Sequence, residues 1–264
     1  MGENFSLREI LKPIRKELSE LEEGIGWIID SSPSYLRPVV ELSLRGGKRI
    51  RPALAILSSR LFGVDERVIK LSVAIELLHA GTLIHDDILD MSHERRGRES
   101  IWKKYGERIA VLSGDLLFSK GISLISELGS TEIMDAFSKA IVRICSGEIR
   151  QDFSPVKSLE EYLSLAKEKT GSLFWASAYG GAYLGGASCE EVGILSEFGS
   201  LFGTAFQIAD DIIDGSRIPD GAKSLLVKLK EEGEYLLREF EGEYKDSLIL
   251  LFSYNINRAY EGKV

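Results

Sequence analysis

Three aspartates, Asp86, Asp87 and Asp90, stand in the run LLHAGTLIHDDILDMSHERRG, whose apolar residues repeat with helical spacing. On a helix of 3.6 residues per turn, Asp86 and Asp90 lie about 40° apart in azimuth and about 6 Å apart along the axis, so their carboxylates share one face. Asp87 sits beside them. The run FQIADDIIDG repeats the device with Asp210, Asp211 and Asp214, again among Ile and Ala. If the two helices face each other, six carboxylates converge, which like-charge repulsion and desolvation make untenable without cations. Oxygen-only ligands, few per helix, suit Mg²⁺ ions that keep several waters and take further ligands from substrate phosphates. A single cluster of this kind reads as a solvated helix face; two, each in an apolar setting, point to metal.

Basic residues lie close in sequence to the acids. Gly47-Lys48-Arg49-Ile50-Arg51-Pro52 offers backbone amides, an ammonium and guanidinium forks, with glycines and a proline fixing the backbone around the charges. Arg95-Arg96-Gly97 adds two more forks, and a fork is well shaped for bidentate phosphate binding. Metal-binding carboxylates together with cations suit a diphosphate.

The elements that would position these groups read as helices throughout. Residues 5 to 30 form an amphipathic segment interrupted near Pro13 and stopped by Ser31-Ser32-Pro33-Ser34. Helices are expected at about 36 to 45, 53 to 61, 66 to 91, 109 to 128, 131 to 152, 189 to 213, 222 to 241 and 245 to 260. Pro155 breaks the pattern, and Ser158 with Glu161 makes a capping box for a helix carrying Lys169-Thr170-Gly171. In FWASAYGGAYLGG, small residues would let helices approach closely. No period-2 alternation is long enough for a strand, and the expectation is one all-α domain spanning 1 to 264, of roughly ten helices or more.

Composition narrows the partners. The 264 residues carry a net charge of −8, which argues against a nucleic-acid partner. No window approaches 18 uncharged apolar residues, so no transmembrane segment is expected, and the N-terminal run lacks a signal-peptide core. A cytoplasmic location follows by default. Cys145 and Cys189 have no metal-ligand spacing and are expected to pack as small apolar groups in a reducing compartment.

GGKRIRP, LLHAGTLIHDDILD with RRG downstream, the Lys-Thr pair of KEKTG, and FQIADDIID, in that order, resemble the trans-isoprenyl diphosphate synthases, or polyprenyl synthetases, over roughly residues 40 to 215. The resemblance implies an all-α fold around a central cavity, a homodimer, and Mg²⁺ held by two Asp-rich motifs. It also implies head-to-tail condensation of isopentenyl diphosphate with an allylic diphosphate. By that likeness Lys48, Arg51, His79 and Arg96 hold isopentenyl diphosphate, and Arg95 grips the allylic diphosphate. Asp86, Asp87, Asp90, Asp210, Asp211 and Asp214 serve the metal, while Lys169, Thr170 and Gln207 lie near the allylic diphosphate and the nascent cation. His79 on an apolar helix also fits a hydrogen-bonded core residue; His85 is expected to pack beside the cluster and His93 to face solvent.

In this family large aromatic residues four or five positions before the first Asp shorten the product. Here those positions hold Thr82 and Gly81, with Leu78 a turn deeper, which suggests products of C20 or longer. One departure stands out: the family's longer loop with Gly-Lys repeats after the second motif is replaced by GSRIPDGAK, where Lys223 matches poorly. Two other readings compete. A terpene cyclase or squalene-type synthase shares the Asp motif but lacks GGKRIRP; a non-catalytic subunit of a heteromeric synthase would be expected to have lost aspartates.

Overall fold

The structure, a computed structural model, describes residues 5–154, 156–216 and 218–261. Two short helical turns, α1 (Leu7–Ile10) and a 3₁₀ turn at Lys12–Ile14 around Pro13, lead into α2 (Arg15–Asp30). There follow α3 (Arg37–Leu44), α4 (Ile50–Arg60) and the long α5 (Arg67–Leu89). A two-residue hairpin, β1 (Glu94–Arg95) and β2 (Arg98–Glu99), is the exception to the all-helical expectation. It turns through Arg96 and Gly97, both at positive φ, and is too short to leave a period-2 signature. Then come α6 (Ile101–Tyr105), α7 (Glu107–Ser126), α8 (Thr131–Phe153), α9 (Leu159–Ala166), α10 (Ser172–Gly185), α11 (Cys189–Ile213), α12 (Ala222–Leu236) and α13 (Glu243–Glu261). The fold class is all-α, as the sequence led us to expect. A π-helical turn, Lys167–Gly171, separates α9 from α10 where a continuous helix was expected. The break anticipated at Pro155 lies outside the described residues.

The chain divides into two compact units, drawn from Lys16–Ala53 with Glu66–Ser130, and from Met1–Arg15, Leu54–Asp65 and Thr131–Val264. In the first, α5 is buried on nearly every side and packs on α7 at very short range. Glycine makes this possible: a Cβ on Gly114 would stand 2.2 Å from the His85 ring, and one on Gly81 would stand 3.0 Å from the Gly114 carbonyl. In the second, α10 and α11 run through a core of rings packed edge to face, with Phe174, Phe202 and Phe252 at centroid spacings of 5.2 and 5.3 Å. The small-residue run of α10 does what its composition suggests, since Gly181 and Gly185 lie against the Ala55 and Ser59 carbonyls of α4.

One expectation is corrected. Cys145 and Cys189 are exposed thiols rather than packed apolar groups. Three helices, α5, α7 and α11, are long and apolar enough to cross a membrane by length and composition, since an average over 18 residues tolerates the few charges each one carries. In α5 and α11 the apolar window is 67% buried inside the protein, whereas in α7 it is 33%.

Candidate active site

Both acid clusters are built by the same local structure, the C-terminal end of a long apolar helix. On α5 the third acid, Asp90, is the C-cap, and its N–H donates to the Asp86 carbonyl at 2.8 Å. Met91 enters the left-handed region at φ 51°, and the N–H groups of Met91 and Ser92 donate to the carbonyls of Ile88 and Asp87. On α11 the pattern recurs residue for residue: Asp214 caps onto Asp210 at 2.9 Å, Gly215 is left-handed at φ 68°, and Gly215 and Ser216 donate to Ile212 and Asp211. Each is a Schellman end, which turns the chain sharply and leaves the acids around a helix terminus of partial negative charge. Carboxylates added to that end of the dipole make a site for cations. The donor chemistry, all hard oxygen, fits a Mg²⁺-like ion. Among the described residues no three His, Cys, Asp or Glu groups stand as a preformed metal centre, as suits an ion that brings waters and phosphate oxygens with it.

The acids within each cluster differ. Asp87 is buried and accepts Nε and Nη2 of Arg95 on one oxygen, at 2.8 and 2.5 Å. Burial pushes its carboxyl up from the ordinary value while Arg95 opposes the shift. Asp86 is half-buried and Asp90 exposed. In the second cluster Asp211 accepts the Tyr162 hydroxyl at 2.5 Å and Gln207 Nε2 at 2.9 Å, and Thr170 Oγ1 donates to Gln207 Oε1 at 2.5 Å. Burial raises the Asp211 carboxyl, and both donors hold it down. Asp210 accepts Arg258 Nη2 at 2.9 Å, and Asp214 is exposed. Thr170 and Gln207 thus come together at the second cluster, but Lys169 is turned to α8, bonding Glu148 and Gln151 at 2.8 Å each.

The basic residues of the first unit gather at the head of α4. Arg49, at φ 52°, is buried and tied to Glu76 at 2.5 Å, to Glu22 at 2.7 Å and to the Leu44 carbonyl at 2.8 Å, so this arginine anchors the loop. Its neighbour Lys48 is exposed. Arg51 Nη1 lies 3.1 Å from His79 Nε2. Burial and then the Arg51 charge hold the His79 imidazole well below its usual range, so it is neutral and accepts that proton. Arg96 Nη1 donates to the Gly46 carbonyl at 2.9 Å, with its guanidinium laid where a Cβ on Gly47 would be, 3.0 Å away. Arg51, Arg95 and Arg96 therefore all bear on the His79 imidazole. His85 packs over Gly114 and bonds the Val111 carbonyl at 3.2 Å, and His93 is exposed against Trp102.

Tyr162, Arg258, Glu148 and Gln151 were not singled out from sequence. They lie 48 residues or more from the acids they serve, or on a helix with no motif, and only the folded chain brings them in. Lys223 stacks on the Tyr260 ring at 4.9 Å.

Residues 33–221 match the family model described as Polyprenyl synthetase. The chain belongs to that family. It is 34% identical over 248 residues to the short chain isoprenyl diphosphate synthase of Methanocaldococcus jannaschii, with 86% of this chain and 75% of that protein covered. It is 40% identical over 203 residues to the geranylgeranyl diphosphate synthase of Methanosarcina mazei, covering 69% and 63%. The polyprenyl synthase of Caulobacter crescentus, solved with calcium and isoprenyl diphosphate, superposes with a TM-score of 0.90 over 98% of this chain and 99% of the other. At 22% identity that likeness speaks for the fold of a polyprenyl synthetase.

Proposed function

We propose that this polyprenyl synthetase condenses isopentenyl diphosphate head-to-tail with an allylic diphosphate, using Mg²⁺ held by both Asp-rich helix ends. The chain is a trans-prenyltransferase, and the observation that carries the mechanism is the matched pair of helix C-termini, each ringed with carboxylates. Asp86 and Asp90 on α5, and Asp210 and Asp214 on α11, would hold the metal; Asp87 and Asp211, bound to Arg95 and to Tyr162 and Gln207, fix the geometry of each end. Bound Mg²⁺ would neutralise the diphosphate leaving group.

The allylic C–O bond breaks with its electron pair leaving on the diphosphate, and Arg95 offsets the charge that develops there. The double bond of isopentenyl diphosphate, positioned by Lys48, Arg51, Arg96 and neutral His79, closes a C–C bond onto the allylic carbon. A proton then leaves the adjacent carbon for the released diphosphate. Thr170 and Gln207, at the second cluster, would flank the allylic end and the transient cation, Lys169 would join them by leaving Glu148 and Gln151, and apolar helix walls would keep water from quenching the cation. No nucleophilic side chain is required.

The product is a polyprenyl diphosphate of C20 or longer. Gly81 and Thr82 precede Asp86 where a larger ring would close the chain path, and the M. mazei relative is named for a C20 product. Gly81 has a second reason to be small, its contact with Gly114 and Phe118 of α7. The protein acts as a cytoplasmic homodimer in one catalytic domain: α7 leaves Ile109, Val111 and Leu112 exposed, and α8 leaves Val142 and Ile149 exposed, apolar surface that a second copy would cover.

Incubation with isopentenyl diphosphate, Mg²⁺ and separate C5, C10, C15 and C20 primers, read by mass spectrometry, tests this. Linear diphosphates of C20 or more are expected. Products ending at C10 or C15 would refute the chain length, cyclic hydrocarbons would make it a cyclase, and no turnover with any primer would refute prenyl transfer.

A further inference from the structure

The carboxylates of α11 face a cation that no motif announces. Arg258, on α13, has a side chain only 9% exposed and places Nη2 2.9 Å from Asp210 Oδ1. Its Cζ lies 5.2 Å from the Phe206 ring centroid, and Nη1 meets Asn255 Oδ1 at 3.4 Å, one turn earlier on α13. Two donors of this pair have no acceptor: Arg258 Nε–H and the Asn255 amide Nδ2 are both buried and unsatisfied. Asn255 as a whole is 2% exposed. An arginine cannot shed its proton to relieve such a situation, and buried donors rarely stay unpaired. The missing partner must accept hydrogen bonds, lie beside a carboxylate cluster, and match a planar fork. Phosphate oxygens have that chemistry.

We infer that Arg258 and Asn255 are a diphosphate-positioning pair: Arg258 neutralises Asp210 in the resting protein, and its free donors turn to phosphate oxygens when a metal cation takes over Asp210. This rests on the prenyl-transfer reading above and adds two residues to its leaving-group site. It also answers the short connection after Asp214. With Lys223 committed to the Tyr260 ring, the C-terminal helix supplies the cation that a longer loop would otherwise bring.

The test compares wild type, Arg258→Gln and Arg258→Lys in two binding measurements: Mn²⁺ alone by electron paramagnetic resonance, and inorganic pyrophosphate with Mg²⁺ by calorimetry. In Arg258→Gln, loss of the competing cation should tighten Mn²⁺ while pyrophosphate weakens by about tenfold or more, the size of one charge-assisted hydrogen bond. A purely structural arginine would move both in the same direction, and that result overturns the inference. So does pyrophosphate affinity unchanged from wild type, the result expected if ordered water satisfies the two donors. Should Arg258→Gln fail to fold, Arg258→Lys carries the test. It keeps the ion pair but lacks Nε and the fork, so Mn²⁺ binding should hold while pyrophosphate weakens; wild-type pyrophosphate binding in that variant overturns the inference. Failure of the wild type itself to bind pyrophosphate with Mg²⁺ would count against prenyl transfer instead.

Discussion

Replacing Tyr162 by phenylalanine removes one oxygen and asks how firmly Asp211 must be held. The hydroxyl donates to Asp211 Oδ2 at 2.5 Å while Gln207 Nε2 donates to Oδ1 at 2.9 Å, so the carboxylate has two anchors and the substitution takes one. Burial, and then the bond to Asp211, pushes the Tyr162 hydroxyl far above its ordinary value, so it remains a donor at every working pH. A hydrogen bond to a charged group contributes about 1.5–3 kcal/mol, and because Tyr162 is only half-buried we take the low end, about 1.5 kcal/mol. At 1.4 kcal/mol per decade this is about a tenfold effect on any step that needs Asp211 in place. Urea denaturation should show Tyr162→Phe less stable by about 1 kcal/mol or more. Turnover should fall about tenfold with KM for isopentenyl diphosphate unchanged, since the groups proposed to hold that substrate sit on other elements. A cycle with Gln207→Leu should be strongly non-additive, because both donors serve one carboxylate. If Tyr162→Phe matches the wild type in both stability and turnover, Asp211 does not depend on the network and its proposed role is wrong.

A Cβ at Gly181 would stand 2.0 Å from the Ala55 carbonyl oxygen, so Gly181→Ala must push α10 off α4, and we expect a loss of about 3 kcal/mol in urea denaturation. Gly193, exposed on α11 with nothing within 4 Å of its would-be Cβ, is the control: Gly193→Ala should stabilise by roughly 0.5–1 kcal/mol. His79 titrates well below 6.5 when folded, so at mildly acidic pH the unfolded chain binds a proton that the folded chain refuses. Stability is therefore full above about pH 6.5 and falls as pH drops through it. Urea midpoints from pH 8 to pH 5 should show this slope, and His79→Gln should lessen it.

The acid clusters were legible because their chemistry and their secondary structure share one sequence signal: an apolar 3.6-residue period interrupted by Asp at i, i+1 and i+4. The same holds for α11, whose ends at Cys189 and Ile213 fall where the pattern places them. What the sequence hides is any partner chosen by folding. Arg49 and Arg51 lie two positions apart in one basic run, yet one is spent on Glu22 and Glu76 and the other on His79. The choice depends on which face of α2 and α5 each meets. The Ser158 cap was only half right, since its hydroxyl accepts the Glu161 N–H while Glu161 turns to the N–H of Lys157. Short spacing predicts who can meet, and burial decides who does.

That the two helix ends match down to their left-handed residue bears on the chemistry more than on stability. A Schellman end with Gly at C′ needs no strain, as at Gly215, yet α5 carries Met91 there, exposed and at φ 51°. Left-handed backbone in a non-glycine residue costs about 1–2 kcal/mol, so α5 bears a cost that α11 avoids. In both cases the turn presents the carbonyl end of the helix and its carboxylates together. Negative partial charge from the helix terminus and formal charge from the acids then add. The middle acids Asp87 and Asp211 are committed to Arg95 and to Tyr162 and Gln207, and of the outer acids Asp210 is paired with Arg258. Substitution of a middle acid should act by releasing the groups it holds, while substitution of Asp86 or Asp210 would remove one of the proposed metal ligands.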